Sequence, residues 1–161
     1  MLSQKSIPSA ERLIFALDVP SSDEAKALVL LFGDTIQFYK LGLELFMTGD
    51  YFTLTDWLYK QGKKIFVDLK FFDIPETVGS AVRQLKHRHA TFVTVHGNDD
   101  ILSAAVQEKE NGLKILAVTV LTSLGQKDIE DLGFACNIAE LVLSRAKRAL
   151  AIGCDGVISS G

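Results

Sequence analysis

An aspartate and a lysine two residues apart, Asp68 and Lys70, close the apolar run Lys64-Ile65-Phe66-Val67, and a second aspartate, Asp73, follows three residues later. In an extended strand, residues two apart share a face, so Asp68 and Lys70 are predicted to project together into whatever interior the strand lines. Carboxylates nearby favour the ammonium form of a lysine, and a lysine held that way can act as a proton donor. The competing reading of the same residues is a strand-end salt bridge. Ionisable groups are rarely buried without a use, which favours chemistry.

Other polar residues fall at comparable places. Asp18, Lys40 with Gly42, His96, and Thr122 with Ser123 all stand at or just past the ends of apolar runs. Each has a structural reading of its own. Asp18 could cap the helix after Pro20, and Lys40 could be a solvated lysine on an edge strand. Thr122 and Ser123 could be turn residues, and His96 is read as a satisfied strand-end histidine outside the catalytic set. Their joint placement at one end of successive strands points to a site.

Six short runs rich in apolar, β-branched or aromatic residues must position these groups: Leu13 to Leu17, Phe38 to Leu43, Lys64 to Leu69, Phe92 to His96, Lys114 to Val120 and Gly156 to Ser159. Between them lie amphipathic segments with helix punctuation. Ser21 and Ser22 can cap a helix through Ala25, Leu28 and Leu31 that stops at Gly33. Leu54, Trp57 and Leu58 recur at helical spacing before Gly62, and Val78, Val82 and Leu85 do so after Pro75, which suits a first helical turn. Ile101 to Lys109 ends at Asn111-Gly112, and Ile138 to Leu150 ends at Gly153.

Near-continuous apolar strands alternating with helices imply a parallel sheet covered by helices, either doubly wound or closed as a (β/α) barrel. A dinucleotide-binding sheet would place GxGxxG in its first strand-to-helix turn, which here reads Asp18-Val19-Pro20-Ser21-Ser22. Barrel active sites are built at the carboxyl ends of successive strands, where the polar residues of this chain lie. The predicted fold class is therefore α/β, of the (β/α)8 TIM-barrel type. At about 27 residues per unit, eight units need about 215 residues, so this chain holds about six of them. Residues 1–161 are read as a single incomplete barrel domain, with residues 1–12 as an N-terminal lead-in.

The 161 residues are 48% hydrophobic and 23% charged, with a net charge of -3. That balance suits a globular domain and excludes a nucleic-acid surface, which needs a basic stripe. The run Arg83-Gln84-Leu85-Lys86-His87-Arg88-His89 reads as a solvated helix end. No apolar run reaches the ~18 residues of a membrane span, and Met1 to Arg12 lacks the apolar core of a signal peptide, so a cytoplasmic location is expected. Cys136 and Cys154 have no metal-ligand spacing and are read as reduced packing residues.

Taken together, Ala16-Leu17-Asp18, Tyr39-Lys40-Leu41-Gly42, the decapeptide Asp68 to Thr77, Val95-His96 and Ala117 to Ser123 resemble orotidine 5'-phosphate decarboxylase of the bacterial type, in the same order and at the family's spacings. The resemblance runs from about Leu13 to the end of the chain. It implies loss of CO2 from orotidine 5'-phosphate to give UMP, the last step of de novo pyrimidine synthesis, with neither metal nor cofactor. It implies that Asp18 and Lys40 contact the ribose, that Asp68 faces the departing carboxylate, that Lys70 protonates C6, and that Thr122 lines the base. It also implies a homodimer in which Asp73, Ile74 and Thr77 reach the partner's site.

The family's phosphate grip lies in its seventh and eighth units, and those residues are not in this sequence; the expectation is a truncated or fragmentary product. Gly97-Asn98-Asp99-Asp100 stands where many relatives carry a small-residue turn. Two rival readings follow. One is a catalytically impaired fragment that only dimerises or binds nucleotide weakly. The other is a magnesium-dependent sugar-phosphate decarboxylase or synthase with the same Asp-x-Lys-x-x-Asp pattern, which typically has a glutamate on the second strand where this chain has Lys40.

Overall fold

A parallel strand covered on both faces needs apolar side chains at consecutive positions, and β2 (Phe38–Leu41) has them everywhere except at Lys40. The computed structural model describes residues 6–110 and 112–159. Asn111, expected at a helix end, lies outside the described residues, as do Ser160, Gly161 and the first five residues of the lead-in. The chain divides into two compact units. One runs to Asp68 and includes Arg88–Thr91; the other comprises Leu69–His87 and the residues from Phe92 onward.

In the first unit, β1 (Ile14–Ala16), β2 and the opening residues of β3 (Lys64–Phe71) are parallel neighbours in chain order. Helix α1 (Ser22–Phe32) connects β1 to β2, and α2 (Leu43–Phe46) and α3 (Tyr51–Lys60) connect β2 to β3. Ser21 is the cap of α1, its hydroxyl accepting from the Glu24 N–H at 3.2 Å, and Gly33 ends the helix at φ 50°. The buried face of α1 is Ala25 and Val29; Leu31, expected to share it, is exposed. Leu41, Leu54, Leu58, Ile65 and Val67 form the core of this unit.

The second unit holds β4 (Phe92–His96), β5 (Lys114–Val118) and β6 (Gly156–Ile158), again parallel and in chain order, with the last residues of β3. Its helices are α4 (Pro75–Leu85), α5 (Asp99–Glu108), α6 (Gln126–Asp131) and α7 (Ile138–Ile152). Pro75 opens α4, and Val78, Val82 and Leu85 are buried as their spacing predicts. Gly153 closes α7 at φ 108°, in the left-handed region. Lys109 donates to the Gly153 carbonyl at 2.8 Å and to Asp155 at 2.9 Å, and Asp155 accepts from the Ile115 N–H at 2.9 Å, which fastens the start of β6 to β5.

Several boundaries differ from the sequence reading. The run Phe38 to Leu43 is not strand throughout: β2 stops at Leu41, Gly42 precedes α2, and Leu43 turns outward on that helix. Strand β5 ends at Val118, although Thr119 and Val120 remain buried beyond it. Strand β3 runs two residues past Leu69. The basic run after Val82 is not simply solvated, because Arg83 makes a two-point contact with Glu108 at 2.6 and 2.7 Å and Lys86 pairs with Glu110 at 3.1 Å. Both cysteines are free thiols; burial pushes that of Cys154 up to about 11.

Candidate active site

The parallel register explains how three charges meet in the first unit. Ala16, Lys40 and Phe66 stand in one row across β1, β2 and β3, so Asp18 and Asp68 lie two residues further toward the carboxyl ends. Two residues of strand advance about 6.6 Å, a span that the four-carbon stem of Lys40 can cover. The Leu17 N–H donates to the Lys40 carbonyl at 2.9 Å, which pins Asp18 beside the lysine. The Lys40 ammonium donates to Asp18 Oδ1 at 2.9 Å and lies 3.8 Å from Asp68 Oδ2. Asp68 is the most buried of the three side chains, at 13% exposure against 63% for Asp18.

These contacts decide two questions that the sequence leaves open. Asp18 is a partner of Lys40, and Ser21 performs the capping. Lys40 lies on an inner strand, flanked by β1 and β3, so it is not a solvated edge lysine. Gly42 stands beside this pair, and a Cβ there would make ordinary contact with it, 3.7 Å from Asp18 Oδ1 and 3.8 Å from Lys40 Nζ.

Tyr51 ties the start of α3 to the end of β2, and the sequence carries no signal for it beyond an aromatic residue at a helix start. Its hydroxyl donates to the buried Leu41 carbonyl at 3.1 Å. Burial, with the negative charge of Asp68 adding to it, pushes its pKa upward, so it remains a donor across the working pH range. Tyr51→Phe is expected to cost about 1–2 kcal/mol in urea unfolding, because it leaves a buried carbonyl without its donor. No measurable loss would mean that water reaches Leu41.

In the second unit the backbone at Lys70 leaves the regular strand. Its φ is 48°, in the left-handed region that a residue with a side chain adopts at a cost of about 1–3 kcal/mol. Lys70 therefore lacks the extended backbone that two-residue alternation assumes. The Lys70 N–H donates to Thr94 Oγ1 at 2.9 Å. Thr94 is fully buried on β4 between Val93 and Val95. A threonine inside an apolar strand was the available signal for it.

Asp73 and Ile74 lie on the exposed segment before α4, with the Ile74 N–H donating to Asp73 Oδ1 at 2.7 Å, and Thr77 is exposed in the first turn of that helix. Phe72, Asp73, Ile74 and His96 line a cleft of about 470 Å³. His96 is half-buried rather than satisfied: its Nδ1 has no hydrogen-bond partner among the described residues. Burial, and then the charge of Arg145, lowers its pKa and keeps the ring neutral. Thr122 lies on the exposed turn after β5 and lines a second cleft, of about 420 Å³, with Val142, Leu143 and Ser159.

Charged groups at strand ends on a parallel α/β framework are a pattern that known families can be compared with. Residues 11–161 match the model of the family described as Orotidine 5'-phosphate decarboxylase / HUMPS family. The chain belongs to this orotidine 5'-phosphate decarboxylase family. The orotidine 5'-phosphate decarboxylase of Methylococcus capsulatus is 64% identical over 160 residues, a match covering 99% of this chain and 66% of that protein. The one from Xanthomonas oryzae pv. oryzae is 48% identical over 163 residues, covering 99% and 67%. This member of the decarboxylase family thus spans about two thirds of the length of those curated relatives.

A crystal structure of orotidine 5'-phosphate decarboxylase from Lactobacillus acidophilus matches with a TM-score of 0.84 at 35% identity, over 92% of this chain and 70% of that one. The fold is accordingly of the (β/α)8 TIM-barrel type, with six parallel strands among the described residues. Among the described residues, no helix is long and apolar enough to cross a membrane.

Proposed function

We propose that this chain carries the machinery for decarboxylating orotidine 5'-phosphate to UMP and CO2, the closing step of de novo pyrimidine synthesis in the cytoplasm. The observation that carries the reading is the Asp18–Lys40–Asp68 arrangement, an ammonium hydrogen-bonded to one carboxylate and 3.8 Å from another. Asp68 begins the Asp-x-Lys-x-x-Asp segment that supplies Lys70 and Asp73.

In the proposed reaction, the bond from C6 to the carboxyl carbon breaks and its electron pair stays on C6 while CO2 departs. Negative charge that appears only in the transition state is stabilised best by cationic groups already in place. The Lys70 ammonium fills that role and then gives its proton to C6. Lys40 orients the carboxylates and, with Asp18, binds the ribose; Asp68 faces the departing group, and Thr122 lines the base. No metal or cofactor takes part. Exposed Phe72 and Ile74 beside Asp73 support a homodimer in which Asp73, Ile74 and Thr77 serve the partner's site.

The magnesium-dependent relatives are the less fitting model, because Lys40 already supplies positive charge between the two carboxylates, where a divalent cation would meet repulsion. The test is to incubate the purified chain with orotidine 5'-phosphate and follow UMP by chromatography, with and without EDTA. UMP formation unaffected by EDTA is expected. UMP formation abolished by EDTA would overturn the metal-free mechanism, absence of both turnover and nucleotide binding would leave the sugar-phosphate branch as the better reading, and nucleotide binding without turnover would make the chain a noncatalytic binder.

A further inference from the structure

From the backbone at Lys70, we infer that Thr94 is the positioning residue of the site: its hydroxyl holds the Lys70 amide, and with it the left-handed turn that sets the direction of the lysine side chain. The inference rests on the proposed role of Lys70 for its catalytic consequence, and on geometry alone for the bond itself.

Two non-glycine residues have positive φ among the described residues, Lys70 and His89. His89 lies in an exposed stretch after α4, where solvent and a stack on Tyr59 at 3.7 Å accommodate it. Lys70 lies at the end of a strand, where a left-handed residue tilts its peptide out of the regular hydrogen-bond pattern. Such a conformation persists only where the surroundings specify it. The Lys70 N–H is met by Thr94 Oγ1 at 2.9 Å.

Thr94 suits this task in three respects. Its side chain is fully buried, so water does not compete for the hydroxyl. It is β-branched, and restricted rotation about χ1 holds the oxygen in place. It sits on β4 between two fully buried valines, so its own backbone is anchored. A strand position occupied otherwise by packing residues thereby transmits the rigidity of β4 to the end of β3. Groups that stabilise a transition state must be held to within a fraction of an ångström, and the residues behind them supply that precision.

The experiment compares the wild-type chain with Thr94→Val, which keeps the shape and removes the acceptor, and Thr94→Ser, which keeps the acceptor. Amide hydrogen exchange is read residue by residue, and kcat and KM are measured on orotidine 5'-phosphate. In Thr94→Val, the Lys70 amide should exchange at least about tenfold faster while Val67, Val93 and Val95 keep their protection, a local change that general destabilisation would not produce. Its kcat should fall about a hundredfold with KM nearly unchanged, since misplacement by about 1 Å has that effect on a reacting group. Thr94→Ser should restore most of both.

Unchanged Lys70 protection in Thr94→Val, or wild-type kcat in that variant, would overturn the inference. If the wild-type chain itself failed to turn over the nucleotide, the decarboxylase reading would fall, and the exchange rates would still uphold or overturn the bond between Thr94 and Lys70.

Discussion

Replacing Lys70 by alanine is expected to lower turnover of orotidine 5'-phosphate by at least about 10⁴-fold, with nucleotide binding much less affected. Two contributions are lost together. A positioned proton donor is worth roughly 10²–10⁴ in rate, and a preorganised charge facing developing negative charge is worth about 10²–10³. Their combined loss corresponds to about 5 kcal/mol or more of transition-state stabilisation. The left-handed backbone at this position adds a second readout. Alanine inherits the strain because it too carries a Cβ, whereas Lys70→Gly relieves it. The glycine variant should be equally inactive yet more stable than the alanine variant by about 1 kcal/mol in urea unfolding. Near-normal turnover in either variant would remove Lys70 as the donor. Equal stabilities would mean that the φ of 48° carries little strain in this setting.

Lys40 was legible because a lysine in the otherwise apolar run Phe38-Tyr39-Lys40-Leu41 breaks a pattern that only a partner or solvent can justify. Pro75, Gly33 and Gly153 were legible as punctuation, since a fixed φ or a left-handed turn leaves few other uses for them. What the sequence could not express is register. Asp18 reads equally well as a helix cap until the alignment of Ala16 with Lys40 places it 2.9 Å from the ammonium. The backbone at Lys70 was not legible for a related reason: alternation assumes an extended chain, and nothing in the residue types announces a positive φ at a lysine. Helix α6 gave almost no signal, because its six residues bury a single apolar side chain, Ile129. Tyr51 and Thr94 act by hydrogen bonds to backbone groups from other elements, Leu41 and Lys70, and such bonds leave no periodic trace.

Mixing two inactive variants should restore activity if the proposed dimer shares its sites. Asp73 lies on an exposed segment, its carboxylate accepting from the neighbouring Ile74 N–H at 2.7 Å, beside exposed Phe72 and Ile74. Such apolar exposure next to a charged residue suits a surface that a second copy covers. Asp73→Ala alone should lower turnover by about 10²-fold, the usual effect of losing one electrostatic group from a site. In a mixed dimer of Lys70→Ala and Asp73→Ala subunits, one site would combine both defects. The other would draw an intact Lys70 from one chain and an intact Asp73 from its partner. With random pairing, half of the dimers are mixed and half of their sites are whole, so coexpressed variants should recover about a quarter of the wild-type rate. If Asp73 served its own chain, each site in the mixed dimer would keep one defect and the mixture would be no more active than its parts. Sedimentation equilibrium on the same samples separates that outcome from a chain that does not dimerise, since only a dimer can carry Asp73 across to another molecule's lysine.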